Sequence, residues 1–100
     1  MRVEIYKKHL SEIKSKNNKS EKWNTVFPEI GKKVFSSPID ELLKYKIMIC
    51  LTYFEFVEIK NSEYYFMNDN PQMESYIPYY NGIVSGLKDV SLKFVYGGDN

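Results

Sequence analysis

The chain has no alanine and only one arginine, one histidine and one cysteine among its 100 residues. Each shortage excludes something. A lone Cys50 can form no disulfide within the chain. Small secreted domains usually depend on several, so the expected setting is reducing and cytoplasmic. A structural zinc site needs four nitrogen or sulfur ligands, more than His9 and Cys50 can supply. Neither a metal nor a cofactor is expected. A single Arg2 weakens any case for base-specific nucleic-acid reading, which leans on the guanidinium fork.

Long apolar runs are also lacking. The first eight residues, Met-Arg-Val-Glu-Ile-Tyr-Lys-Lys, carry charges where a signal peptide would have its apolar segment. The longest uncharged stretch, Ser75 to Leu87, has 13 residues and contains Pro78, Gly82 and Gly86. A membrane span needs about 20 apolar residues. No leader and no membrane segment are therefore expected. Gly31, Gly82, Gly86, Gly97 and Gly98 form neither a GxGxxG turn nor a Walker-type phosphate loop.

What is present is enough for a core. Hydrophobic residues make up 43% and aromatic residues 16%, and the net charge is +1. That places the chain far from the polar, highly charged composition of disordered proteins. A hundred residues is the length of one domain, here residues 1–100. Thirteen Lys, nine Ile, nine Tyr and eight Asn are residues spelled by AT-rich codons. Small chains of this composition suit accessory proteins of viruses or mobile elements.

The hydrophobic spacing predicts an α+β fold, with two or three helices packed on a small antiparallel β-sheet. Val3, Tyr6, Leu10 and Ile13 recur at helical intervals, predicting a helix over Arg2–Lys16. Residues 23–35 carry Pro28 and Gly31 and read as short extended pieces. Ser37-Pro38-Ile39-Asp40-Glu41 reads as a helix start, with a serine cap, proline at the first position and an acid close behind. It predicts a helix from Pro38 to Thr52. Tyr45, Ile47, Ile49, Leu51 and Tyr53 also alternate as a strand would, so 45–53 carries both signals.

Residues 54–59 and 63–67 read as a hairpin around Lys60-Asn61-Ser62. Asn68 to Pro71 reads as a surface turn. Pro78–Lys88 is a helix candidate. Val90, Leu92, Phe94 and Tyr96 alternate as a last strand, followed by a frayed tail over 97–100.

No residue set points to catalysis. His9 stands alone, Cys50 lies on an apolar stripe, and the acids Asp40, Glu41, Glu55, Glu58 and Glu63 are accounted for by a helix start and a hairpin surface. The protein is expected not to be an enzyme.

Two features bear on partners. Residues 1–35 hold nine basic and four acidic residues, a net +5, whereas residues 36–100 hold five and nine, a net −4. Lys7, Lys8, Lys14 and Lys16 could track a phosphate backbone, the basis of an alternative reading as a sequence-tolerant nucleic-acid binder. The leading expectation rests on the aromatic segment. Tyr64, Tyr65, Tyr76, Tyr79 and Tyr80 crowd into 17 residues with Phe66, Met67 and Met73. Tyrosine and methionine are enriched at protein interfaces, and tyrosine at their hot spots. The expected function is a non-enzymatic protein-binding module, working through those five tyrosines on a partner or a second copy. An inhibitor or immunity-type accessory factor of a virus or mobile element fits that description.

Overall fold

The computed structural model describes residues 2–96; the tail expected over 97–100 lies outside them. The order is α1 (Arg2–Ser15), α2 (Glu21–Ser36), α3 (Glu41–Leu51), β1 (Glu55–Lys60), β2 (Glu63–Met67), a 3₁₀ helix (Pro71–Tyr76), α4 (Ile77–Val84) and β3 (Ser91–Val95). The fold is α+β, with four α-helices and a three-stranded sheet ordered β1-β2-β3. None of the described helices is long and apolar enough to cross a membrane.

Helix α1 is where its periodicity places it. Residues 23–35 are not extended pieces but most of α2. Ser20 caps this helix by accepting from the Trp23 amide at 3.1 Å. Trp23, Phe27, Ile30 and Val34 form one buried stripe, at the spacing of a helix face. Pro28 sits inside the helix and costs roughly 3 kcal/mol there. Burying each large apolar side chain returns about 1.5–3 kcal/mol, so four of them outweigh the proline. Trp23 and Phe27 also stack at 4.4 Å and 15°.

The third helix starts later than expected, at Glu41 rather than Pro38. Asp40 is its cap, with Oδ2 accepting from Leu42 N at 3.0 Å and Leu43 N at 3.3 Å. Ser37 instead closes α2, its Oγ donating to the Val34 carbonyl at 2.7 Å. A residue before proline is disfavoured in the α region. Ser37, with φ −75° and ψ 157°, therefore has to leave the helix. Ile47 to Leu51 are buried without a break, so 45–53 is helical up to Leu51. A helical segment enclosed on all sides, as Ile47–Leu51 is, shows no polar stripe, so its sequence lacks the pattern that tells a helix from a strand. It packs against α1, α2 and α4.

The hairpin pairs Lys60 with Glu63 around Asn61 and Ser62, at φ 53° and 68°. Two left-handed central residues match the twist of the flanking strands. The register slips at Val57, a bulge between the Phe56–Phe66 and Glu58–Tyr65 pairs. Strand β3 runs parallel to β2, so the sheet is mixed rather than wholly antiparallel. The 3₁₀ helix and α4 lie between the two strands and return the chain to its starting end. Phe54, Phe56, Phe66 and Phe94 fill the space between sheet and helices. Asn68 is not on the surface: it is 4% exposed, its amide donating to the Val95 carbonyl at 3.0 Å. The helix expected over 78–88 is α4, ending at Val84.

Candidate functional site: a tyrosine surface

The five tyrosines singled out in the sequence separate into two sets. Tyr64 and Tyr65 are neighbours on β2, so their side chains leave opposite faces of the sheet. Tyr64 turns toward the helices, 6.5 Å from the Phe56 ring, with Lys33 Nζ 5.6 Å from its centroid. Tyr65 is on the far face, where its hydroxyl donates to Glu63 Oε1 at 2.6 Å. That hydrogen bond holds the phenol proton and raises the Tyr65 pKa above the usual value. Neither joins the other three.

Tyr76, Tyr79 and Tyr80 do come together. The 3₁₀ helix runs directly into α4, and residues three and four apart share a helix face. Tyr80 is the hub. Its centroid is 6.3 Å from Tyr76 and 5.7 Å from Tyr79. It also stands 6.5 Å from Tyr53, nearly parallel at 16°. On the inner side it meets Phe54 edge-on at 5.5 Å and Phe94 at 5.6 Å, which anchors the cluster to the core. Tyr53, Tyr76 and Tyr79 are 41%, 50% and 60% exposed, an unusual outlay of aromatic surface in so small a protein.

Tyr53 was missed in the sequence because it lies 23 positions before Tyr76 and reads equally as a strand residue. It follows α3 on the stripe of Lys46 and Cys50. A hollow of about 230 Å³ lies over that stripe, walled by Tyr6 of α1 and by Tyr79 and Tyr80 of α4. Lys46 Nζ stands 5.7 Å from the centroid of Tyr6. Burial, then the neighbouring Cys50 and tyrosines, push the Tyr80 phenol up to about 12. At neutral pH Tyr80 is thus a protonated hydrogen-bond donor.

The remaining candidate groups are held in structural roles. Cys50 is buried and its Sγ donates to the Ile47 carbonyl at 3.1 Å. Burial raises its pKa far above the normal thiol value, so no thiolate nucleophile forms there. Glu55 accepts from the Ser20 and Phe56 amides at 3.2 and 2.9 Å, Glu58 pairs with Lys60 at 3.5 Å, and His9 is exposed on α1. Among the described residues no three His, Cys, Asp or Glu side chains cluster as metal ligands.

Lys7, Lys8, Lys14 and Lys16 are all exposed. Lys7 and Lys14 lie two turns apart on one face of α1, while Lys8 is about 100° around the helix. Lys16 follows the last helical residue. The four do not share one stripe. No protein-family model, curated protein or solved structure matches the chain.

Proposed function

We propose that the protein is a non-enzymatic binding module that holds a protein partner through Tyr53, Tyr76, Tyr79 and Tyr80. The supporting observation is one continuous set of exposed tyrosine rings, anchored to the core through Tyr80. Tyrosine loses little side-chain entropy when it is covered, and carries both an apolar face and a polar tip. An interface centred here would bury on the order of 800 Å² per partner, with a few tyrosines dominating its energy. Tyr64 and Tyr65 are set aside from the binding residues, because they leave opposite faces of the sheet and neither ring meets those of Tyr76, Tyr79 or Tyr80. An inhibitor or immunity-type role in a virus or mobile element remains the biological setting that the composition favours. The nucleic-acid alternative is weakened by the spread of its four lysines around α1.

The test compares Tyr76→Ala and Tyr79→Ala with Tyr65→Ala as control. The protein is immobilised, partners are captured from host extract, and self-association is followed by analytical ultracentrifugation. Tyr76→Ala and Tyr79→Ala should melt as the unmodified protein does, yet lose the captured partner or the dimer that Tyr65→Ala retains. Full retention by both variants would refute the proposal.

A further inference from the structure

A cavity of about 310 Å³ opens between α1 and α2, at the small end of the range of ligand sites. Leu10, Trp23, Phe27 and Met48 wall it. Gly31 also borders it, and a Cβ there would stand 3.3 Å from Met48 Cε. Lys14 is its one charged lining residue, with Nζ 5.8 Å from the Phe27 centroid. Among the described residues the one ion pair is Lys60–Glu58, so Lys14 has no carboxylate partner there. Two further polar groups lie on residues that line the cavity. Trp23 is 1% exposed, and its Nε1 has no acceptor; an unsatisfied buried donor costs about 1–3 kcal/mol. Asn17 Oδ1 accepts from the Lys19 amide at 2.7 Å, which leaves the Asn17 NH₂ as a donor at the rim.

A second hollow of about 300 Å³ adjoins the cavity. The two share Leu10, Lys14 and Phe35, and the second adds Lys7, Ser11 and Tyr45. The apolar cavity is therefore flanked by a mouth carrying two cations from one face of α1, Lys14 being common to both. Of the four lysines prominent in the sequence, these are the two that the fold places together.

We infer that this is a binding site for an anionic amphiphile, a small molecule with one apolar chain and a carboxylate head. The chain leaves water for the Trp23–Phe27–Met48 wall, the favourable term in proportion to its area. The head stays at the exposed mouth beside Lys14 and Lys7, where pairing needs no charge to be buried. A cationic head is repelled there, and a neutral one forgoes the ion pair. The indole N–H is shut off from solvent, so a ligand oxygen reaches it only if the wall shifts. Either outcome changes the surroundings of the chain's one tryptophan.

Trp23 emission therefore reports binding directly. The probe is decanoate, titrated below its micelle concentration. A saturable, one-to-one change is expected, with decanol binding about tenfold more weakly. Lys14→Gln should weaken decanoate about tenfold and leave decanol unchanged. Lys8→Gln removes the same charge from another face of α1 and should alter neither. Both lysines are exposed, so both variants fold. Tyr79→Ala, outside this cavity, should bind decanoate normally, which separates this site from the tyrosine surface. Absence of a saturable response, equal effects of Lys14→Gln and Lys8→Gln, or binding only to anionic phosphatidylglycerol vesicles would each overturn the inference.

Discussion

Asn81 and Phe94 are joined by two hydrogen bonds that imitate a strand pairing. The Asn81 side-chain NH₂ donates to the Phe94 carbonyl at 3.1 Å, and the Phe94 amide donates to Asn81 Oδ1 at 3.0 Å. β3 is an edge strand, and an open edge invites pairing with another chain. One amide from α4 closes it. On the opposite edge Glu55 does related work, with one oxygen on its own strand at Phe56 N and the other on Ser20 N. Each outer strand of the small sheet thus has one residue whose backbone is held by a side chain.

Asn81→Ala removes both bonds and should cost about 2 kcal/mol, the penalty for two strand groups losing their partners. It also frees the β3 edge. Urea unfolding should show the lower midpoint, and size-exclusion chromatography should show added self-association. A variant as stable and as monodisperse as the parent would mean that water replaces the amide without loss.

Two surface positions should gain stability when changed. Gly82 is exposed in the middle of α4, and a Cβ there would meet nothing within 4 Å. Gly82→Ala should stabilise the fold by about 0.5–1 kcal/mol, mainly by restricting the unfolded chain. Ser62 presents the reverse case, since its φ of 68° is strained for a residue with a Cβ. Ser62→Gly relieves that strain in a turn that favours Asn-Gly, and should stabilise by a similar amount. Denaturant midpoints measure both; a loss at either site would show that its local backbone account is incorrect.

These same positions show what could be read in advance. α1 and the hairpin follow from patterns confined to one segment, an amphipathic stripe and a two-residue turn. α2 was hidden because Pro28 and Gly31 are local breakers, whereas the stabilising burial of Trp23, Phe27, Ile30 and Val34 depends on partners far along the chain. The parallel β3 had a signal, a helix between two strands, but the alternation of Leu92 and Phe94 says nothing of direction. The tyrosine surface was half visible. Tyr76, Tyr79 and Tyr80 are close in sequence, but Tyr53 and Tyr6 reach them only through the packing of α3 against α1 and α4.

Cys50 provides a test of that packing. Its thiol is buried within α3, so a thiol reagent should label the native protein slowly and the guanidinium-unfolded chain at once. Cys50→Asp places a carboxyl among apolar neighbours and should cost several kcal/mol, enough to threaten folding in a domain of ordinary stability. Fast native labelling would place the thiol at the surface and contradict the arrangement of α3.

Tyr80 makes alkaline pH a probe of the cluster. Its phenol pKa is raised from the usual 10.0 to about 12 in the folded protein, chiefly by burial. Below pH 10 folded and unfolded chains both keep the proton, so the contribution of Tyr80 is complete. Between 10 and about 12 the unfolded chain releases it while the folded one retains it. Stability must then fall as pH rises, by the linkage between proton binding and unfolding. Tyr80→Phe has no proton to lose and should show a shallower decline over the same interval. Tyr65, held by Glu63, is common to both proteins and cancels in the comparison. Urea midpoints taken stepwise through this range provide the measurement. If the two proteins lose stability in parallel, the Tyr80 hydroxyl is as exposed as a free phenol, and the anchor of the tyrosine surface has to be sought elsewhere in the cluster.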